Sequence, residues 1–155
     1  MRFDPLTHAD AEAEVTRLLE TVGEPAVETG REVEIPTFYD GPDLRETAAL
    51  SSLSVDELVG LHSARSYRAF FLGFLPGFAY CGVLDARIRA PRLVRPRERV
   101  PAGSVAIADG QTAIYPLDSP GGWRLIGRTV TLVFDSGKEP PALIRPGDRV
   151  RFVPR

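Results

Sequence analysis

Cysteine, lysine and histidine are nearly missing from this 155-residue sequence, and each shortage removes a class of chemistry. Cys81 is the only cysteine, so the chain can form no internal disulfide, and one thiol by itself makes no metal site. Its apolar neighbours point to an ordinary buried thiol. Lys138, the only lysine, follows Gly137 in an expected surface loop with no Walker pattern around it, which excludes an ATP site of the P-loop kind. The two histidines, His8 and His62, fall on different expected elements, and His62 sits in the last turn of a helix, where the carbonyl end favours it. No apolar run reaches the ~20 residues of a membrane span. The run Phe70 to Leu84 has 15 residues and is interrupted. Asp4, Asp10, Glu12 and Glu14 stand where a secretory signal would be apolar, so a cytoplasmic protein is expected. The basic residues belong to no base-stacking module, which argues against a nucleic-acid partner.

What is present suits one soluble domain: the length falls within ~100–200 residues and is enough for a substantial core. Charge is unevenly spread. Residues 1–60 hold 14 Asp and Glu against 4 Arg, and residues 61–155 hold 7 acids against 15 basic residues. Either the acidic part lies over the basic part, or each faces a different partner.

Along the chain, Phe3 to Leu6 reads as a strand end, and Thr7 caps a helix whose apolar face is Ala11, Val15, Leu18, Leu19 and Val22. After a polar linker, Val33 to Pro36 alternates as a strand. Pro42-Asp43 opens a second helix to about Leu50, and Ser54 with Glu57 forms a capping box for a third. From Tyr67 onward the pattern is that of strands: Tyr67–Phe74, Gly103–Ala108 and Thr112–Tyr115 around the hairpin dipeptide Asp109-Gly110, Trp123–Ile126 paired with Thr129–Phe134, and Arg149–Val153. Strands in such number without intervening helices predict a mainly β protein with short helices, a closed antiparallel barrel with the helices over one opening.

Three stretches carry the candidate chemistry. The first is FFLGFLPGFAYCGVL, Phe70 to Leu84, in which Phe74, Pro76, Gly77, Phe78 and Tyr80 surround a forced turn. It reads either as a buried turn or as the aromatic wall of a pocket or interface. The second is the Pro-Arg loop Arg87 to Arg99, where proline prevents a helix and guanidinium groups are set on a stiff support. A solvated loop is one explanation, and bidentate capture of a carboxylate or phosphate by Arg92 or Arg97 is the other. The third is Ser119-Pro120-Gly121-Gly122-Trp123, readable as a tight turn or as a nest of N–H groups for an anion.

The runs GFLPGFAYCGVLD, VPAGSVAIADGQTAIYP, SPGGWRLIGRT and PALIRPGDRVRFVP, with Pro-Arg at 91–92 and 96–97, resemble the family of the bacterial 5-oxoprolinase B subunit, the KipI histidine-kinase inhibitor and proteins labelled allophanate hydrolase subunit 1, a carboxyltransferase subdomain C-like family. The resemblance spans about Val33 to Val153 and implies a cyclophilin-like barrel, without isomerase activity, since fold does not carry function. Family members begin with a further α/β half. Residues 1–28 are therefore expected to be a remnant of that domain plus linker, and residues 29–155 the barrel domain. Glycine is common in the family where Asp109 and Ala113 stand here, and Thr37 to Pro42 is short.

The resemblance implies a non-autonomous subunit that, with a C-type companion subunit and a third component, opens the lactam 5-oxoproline to glutamate using ATP bound in the assembled complex. No metal site is evident. Substrate-binding candidates are Arg92, Arg97, Ser104, Gln111, Tyr115, Ser119, Gly121 and Gly122. The wall candidates are Phe74, Pro76, Gly77, Phe78, Tyr80 and Trp123, facing a pocket or a seam. No residue is assigned as catalytic. The rival implication is a module that docks on a sensor histidine kinase, and a third is a part in urea carboxylation. Lys138 lacks the serine-rich loop of Ser-Ser-Lys amidases, which speaks against hydrolysis of allophanate by this chain itself.

Overall fold

Alternation of apolar and polar residues decides most of the strands. The computed structural model describes residues 30–155, so the expected helix of residues 7–22 and the remnant domain lie outside the described residues. In β1 (Glu32–Thr37), Val33, Ile35 and Thr37 turn inward and the glutamates outward. The same rule governs β9 (Arg149–Pro154), where Val150 and Phe152 are buried. Between them in sequence come α1 (Leu44–Leu50), α2 (Val55–Ser63), β2 (Ser66–Leu72), β3 (Ala79–Gly82), β4 (Arg97–Val100), β5 (Ser104–Ala108), β6 (Gln111–Ile114), β7 (Ser119–Gly121) and β8 (Arg124–Arg128).

Seven strands form one sheet in the order β1-β9-β2-β3-β6-β5-β8. Phe38, just past β1, exchanges two 2.8 Å hydrogen bonds with Arg128 at the end of β8, which joins the sheet's two edges into a nearly closed barrel. The mainly β barrel with short helices expected from the sequence is thus present. Its pairing departs from the expectation at one place, since β1 runs parallel to β9. The Ser54–Glu57 capping box forms as expected, and α1 and α2 add Leu44, Ala48 and Leu58 to the barrel core. Among the described residues, no helix is long and apolar enough to cross a membrane.

β5 is buried along its whole length because it separates two cores. Val105 and Ile107 face the barrel interior with Ile35, Ile126 and Phe152. Ala106 and Ala108 face the other way, beneath Phe78, Tyr115, Trp123 and Leu125. Small residues on that outer face leave room for aromatic rings and for the two-stranded β4–β7 ribbon. This outer core carries the candidate site.

Two strand assignments need correcting. Thr129–Phe134 forms no strand and makes only one bridge, between Phe134 and Ala142. Its alternation leaves Val130 and Leu132 exposed, and the Thr129 hydroxyl accepts the Thr131 N–H at 3.1 Å, a local bond that competes with a ladder. The expected strand at Tyr67–Phe74 ends at Leu72, because Phe74 takes a positive φ of 70° to enter the turn. The Asp109-Gly110 hairpin forms as expected, with φ of 50° and 85°.

His62 is fully buried in α2. Its Nδ1 lies 2.7 Å from Tyr39 Oη and its Nε2 2.9 Å from Thr112 Oγ1. Thr112 donates its hydroxyl to Ala106 O, so Nε2–H donates to Thr112 and Tyr39 donates to Nδ1, which fixes a neutral ring. Burial holds the imidazole down at about 3, against an ordinary 6.5. The unfolded chain takes up that proton near the ordinary value. Stability is therefore complete above about pH 6.5 and falls as pH drops toward 3, by about 1.4 kcal/mol per pH unit. Urea denaturation at about pH 7 and about pH 4.5 is expected to show this slope, and His62→Gln to flatten it. Equal slopes in both proteins would assign the acid sensitivity to other groups.

Candidate functional site

The aromatic stretch makes its turn with Phe74 and Gly77 at positive φ, 70° and 79°. A side chain on Gly77 would run into Phe134, so the bend is available only to glycine. The turn throws Phe78 into the outer core, where it is a hub. Its ring centroid lies 5.5 Å from Phe74, 4.9 Å from Tyr80, 5.3 Å from Tyr115 and 5.6 Å from Trp123, each in an edge-on arrangement. Phe74 stays 61% exposed at the lip. The two readings left open for this stretch both apply, to different residues: Phe78 fills a core, and Phe74 and Tyr80 line a wall.

The Pro-Arg loop is fastened to this wall by three bonds. Asp109 N–H donates to Ala90 O at 3.0 Å, Arg124 Nε to Pro91 O at 2.8 Å, and Leu93 N–H to Gly122 O at 2.7 Å. Arg92 is thereby placed over Trp123, with Cζ 5.7 Å from the ring centroid, and its Nε donates to Asp109 Oδ2 at 2.7 Å. The result is a cleft of about 260 Å³ lined by Phe74, Phe78, Tyr80, Arg92, Pro96, Tyr115, Pro120, Gly121, Gly122 and Trp123.

Eight of the residues singled out in the sequence meet here: Arg92, Tyr115, Gly121, Gly122, Phe74, Phe78, Tyr80 and Trp123. The others do not. Arg97 turns away to Asp43 Oδ1 at 2.6 Å. Ser104 donates to Pro101 O at 2.7 Å and borders a separate hollow with Asp40 and Arg128. Ser119 donates to Pro120 O, and Gln111 opens β6 beside β3. Pro76 and Gly77 shape the turn without reaching the cleft. The sequence reading missed Pro96 and Pro120 as lining residues, although both lie in motifs it singled out. It also missed Asp109 and Asp43 as partners of the two arginines, because only the fold brings them together.

Burial pushes the Tyr115 hydroxyl above its ordinary range, partly offset by a hydrogen bond with the Trp123 backbone and by Arg92 and Arg97 nearby. It therefore stays a neutral hydrogen-bonding group. Burial likewise pushes the Cys81 thiol up to about 12, which makes it unreactive. The cleft thus offers one cation, the hydroxyl-bearing side chains of Tyr80 and Tyr115 and flat apolar walls, and among the described residues its lining includes no carboxylate, thiol or histidine. That set is of the kind that can hold and orient a small planar anion.

The model of the carboxyltransferase domain, subdomain C and D, matches residues 1–144. The chain belongs to this family. It is 51% identical over 128 residues to the 5-oxoprolinase B subunit of Escherichia coli O157:H7, covering 81% of this chain and 59% of that protein. To the 5-oxoprolinase B subunit of Bacillus subtilis it is 48% identical over 126 residues, covering 79% and 52%. A crystal structure of a conserved protein of Pyrococcus horikoshii superposes with a TM-score of 0.78 at 46% identity, over 99% of this chain and 72% of the other. The chain therefore spans somewhat more than half the length of the curated relatives it matches.

In this carboxyltransferase-domain chain, one glycine controls the shape of the cleft. A Cβ on Gly121 would overlap the Tyr115 hydroxyl, and Tyr115 is buried and cannot withdraw. Gly121→Ala is expected to cost about 1–3 kcal/mol and to change the near-ultraviolet circular dichroism of the aromatic cluster. An unchanged melt and spectrum would mean that the β7 backbone yields freely.

Proposed function

We propose that this chain acts as part of a B-type 5-oxoprolinase protein, a cytoplasmic, non-autonomous subunit in the ATP-dependent opening of 5-oxoproline to glutamate. The observation that carries the reading is Arg92 held over Trp123 at an aromatic-walled cleft with a neutral Tyr115 hydroxyl in its lining. 5-Oxoproline is a small flat ring bearing one carboxylate and one lactam oxygen. Its carboxylate suits the donors of Arg92 that Asp109 leaves over, its ring suits the Phe74 and Tyr80 wall, and its lactam oxygen suits the Tyr115 hydroxyl. Identity with proteins named for this activity supports the same assignment.

In this role the chain binds and orients, and its cation and dipoles stabilise charge that develops on the lactam oxygen. The cleft is below the ~300–1,000 Å³ usual for drug-sized ligands, a size for one small ring and too small for a nucleoside triphosphate. The ATP of the assembled complex is therefore not bound in this cleft. The test is coexpression with the companion subunits. A stable complex showing ATP-dependent loss of 5-oxoproline is expected. Failure to copurify, or a complex indifferent to 5-oxoproline, would sink the assignment.

A second reading, a module that docks on and inhibits a sensor histidine kinase, draws on the exposure of Phe70, Phe71 and Phe74 along the same stretch. It requires inhibition of kinase autophosphorylation by the isolated chain, which the enzyme reading does not. A urea-carboxylase-related role is a third reading, separated by assaying the same complex with urea.

A further inference from the structure

A larger cleft, about 530 Å³, opens where β2 meets the turn before β9, and the lactam reading gives it no role. Its lining brings together Arg31, Arg68, Arg145, Phe70 and Asp148. The backbone accounts for the convergence. Ala69 N–H donates to Asp148 O and Gly147 N–H donates to Ala69 O, both at 2.8 Å. Those bonds set Arg68 and Phe70, which flank Ala69 on the exposed face of β2, beside the turn that carries Arg145. Gly30 packs so tightly on the Gly147 carbonyl that a Cβ there would overlap it, and this draws Arg31 to the same place.

Among the described residues the charges do not balance. Among the described residues Asp148 is the only carboxylate in the lining, and its Oδ2 is committed to Arg31 Nη2 at 3.2 Å and to the Arg145 N–H at 2.9 Å. Among the described residues, the Arg68 and Arg145 side chains make no ion pair. Arg68 also stands directly across the β2–β9 pair from Arg149, a like-charge placement, while Glu32 faces Arg149 from the β1 side. Guanidinium forks match phosphate oxygens two at a time. Phe70, 44% exposed beside them, presents a flat apolar face. The cleft volume lies in the range of ordinary small-ligand sites. The basic groups converge on one hollow instead of running in a stripe, which suits a small ligand and not a nucleic-acid backbone.

We propose that this cleft binds a small molecule carrying adjacent phosphoryl groups and a flat ring, of the nucleoside polyphosphate class. The phosphoryl oxygens sit on Arg68, Arg145 and Arg31, and the ring sits on Phe70. The inference is argued from this cleft alone, although the lactam reading also uses ATP, and its test needs neither a companion protein nor 5-oxoproline.

Isothermal titration of the full chain at an ionic strength of about 0.15 M compares ATP, tripolyphosphate, orthophosphate and citrate. ATP is expected to bind at one site more tightly than tripolyphosphate, and both more tightly than orthophosphate or citrate. The double variant Arg68→Ala/Arg145→Ala is expected to weaken ATP roughly 30-fold or more. Phe70→Ala is expected to weaken ATP by roughly fivefold and to leave tripolyphosphate unchanged. Arg89→Ala, on an exposed arginine outside the cleft, is the control and should change nothing. Thermal melts of each variant establish that it is folded. Absence of ATP binding, citrate matching ATP, or a folded double variant that binds like the parent would overturn the site. Equal weakening of ATP and tripolyphosphate by Phe70→Ala would overturn the placement of the ring.

Discussion

Replacing Asp43 by alanine is expected to destabilise the fold by about 3–5 kcal/mol, the range for removing one partner of a buried charged pair. Asp43 is 5% exposed and stands just before α1. One carboxylate oxygen accepts Arg97 Nη2 at 2.6 Å, and the other accepts the Leu125 N–H at 2.7 Å. It therefore ties three elements together: the start of α1, the β4 edge of the ribbon, and β8 of the barrel. Arg97 Nη1 is already buried without a hydrogen-bond partner. Alanine at 43 would leave the whole guanidinium uncompensated beside an orphaned amide. Asp43→Asn keeps an acceptor for one of the two donors and should cost less than alanine. Urea denaturation of the parent and both variants measures the order. If alanine and asparagine cost the same small amount, the clip contributes little and the ribbon is held by packing alone.

That clip also shows where the sequence stopped being legible. The barrel could be read from alternation in Val33–Ile35 and Val150–Phe152 and from Asp109-Gly110, because those signals are local: a two-residue period and a turn that needs positive φ. β7 could not, since Pro120 argues against a strand and is accommodated only because a two-stranded ribbon leaves an edge free. Thr129–Phe134 alternates as well as any true strand does, yet the place beside β8 is taken by Phe38, a residue 90 positions away. The site was half legible for the same reason. Proline, glycine and aromatic residues announced a rigid wall, but nothing near Arg92 or Arg97 in sequence tells which one faces it. The choice is made by Asp109 and Asp43, the carboxylates that the fold delivers to each.

The two arginines should consequently fail in opposite ways. Arg92 pairs with Asp109 at the surface, both side chains being more than half exposed, so Arg92→Ala should cost stability only within about 1 kcal/mol. On the proposed 5-oxoprolinase reading, the same substitution in the assembled complex is expected to lower kcat/KM by roughly 100-fold or more, the scale of a lost charge-assisted contact to substrate plus a misplaced ring. Arg92→Lys keeps the charge but loses both the fork and the planar stacking on Trp123, and should recover only part of the activity. Arg97→Ala should behave conversely: a lower melting temperature from an unpaired Asp43, and near-parent activity at a temperature where the variant stays folded. Kinetics and melting curves on the three variants separate the roles. An Arg92→Ala complex that keeps its full rate would remove the 260 Å³ cleft from the reaction, and Trp123 and Tyr115 would then be packing residues of the outer core.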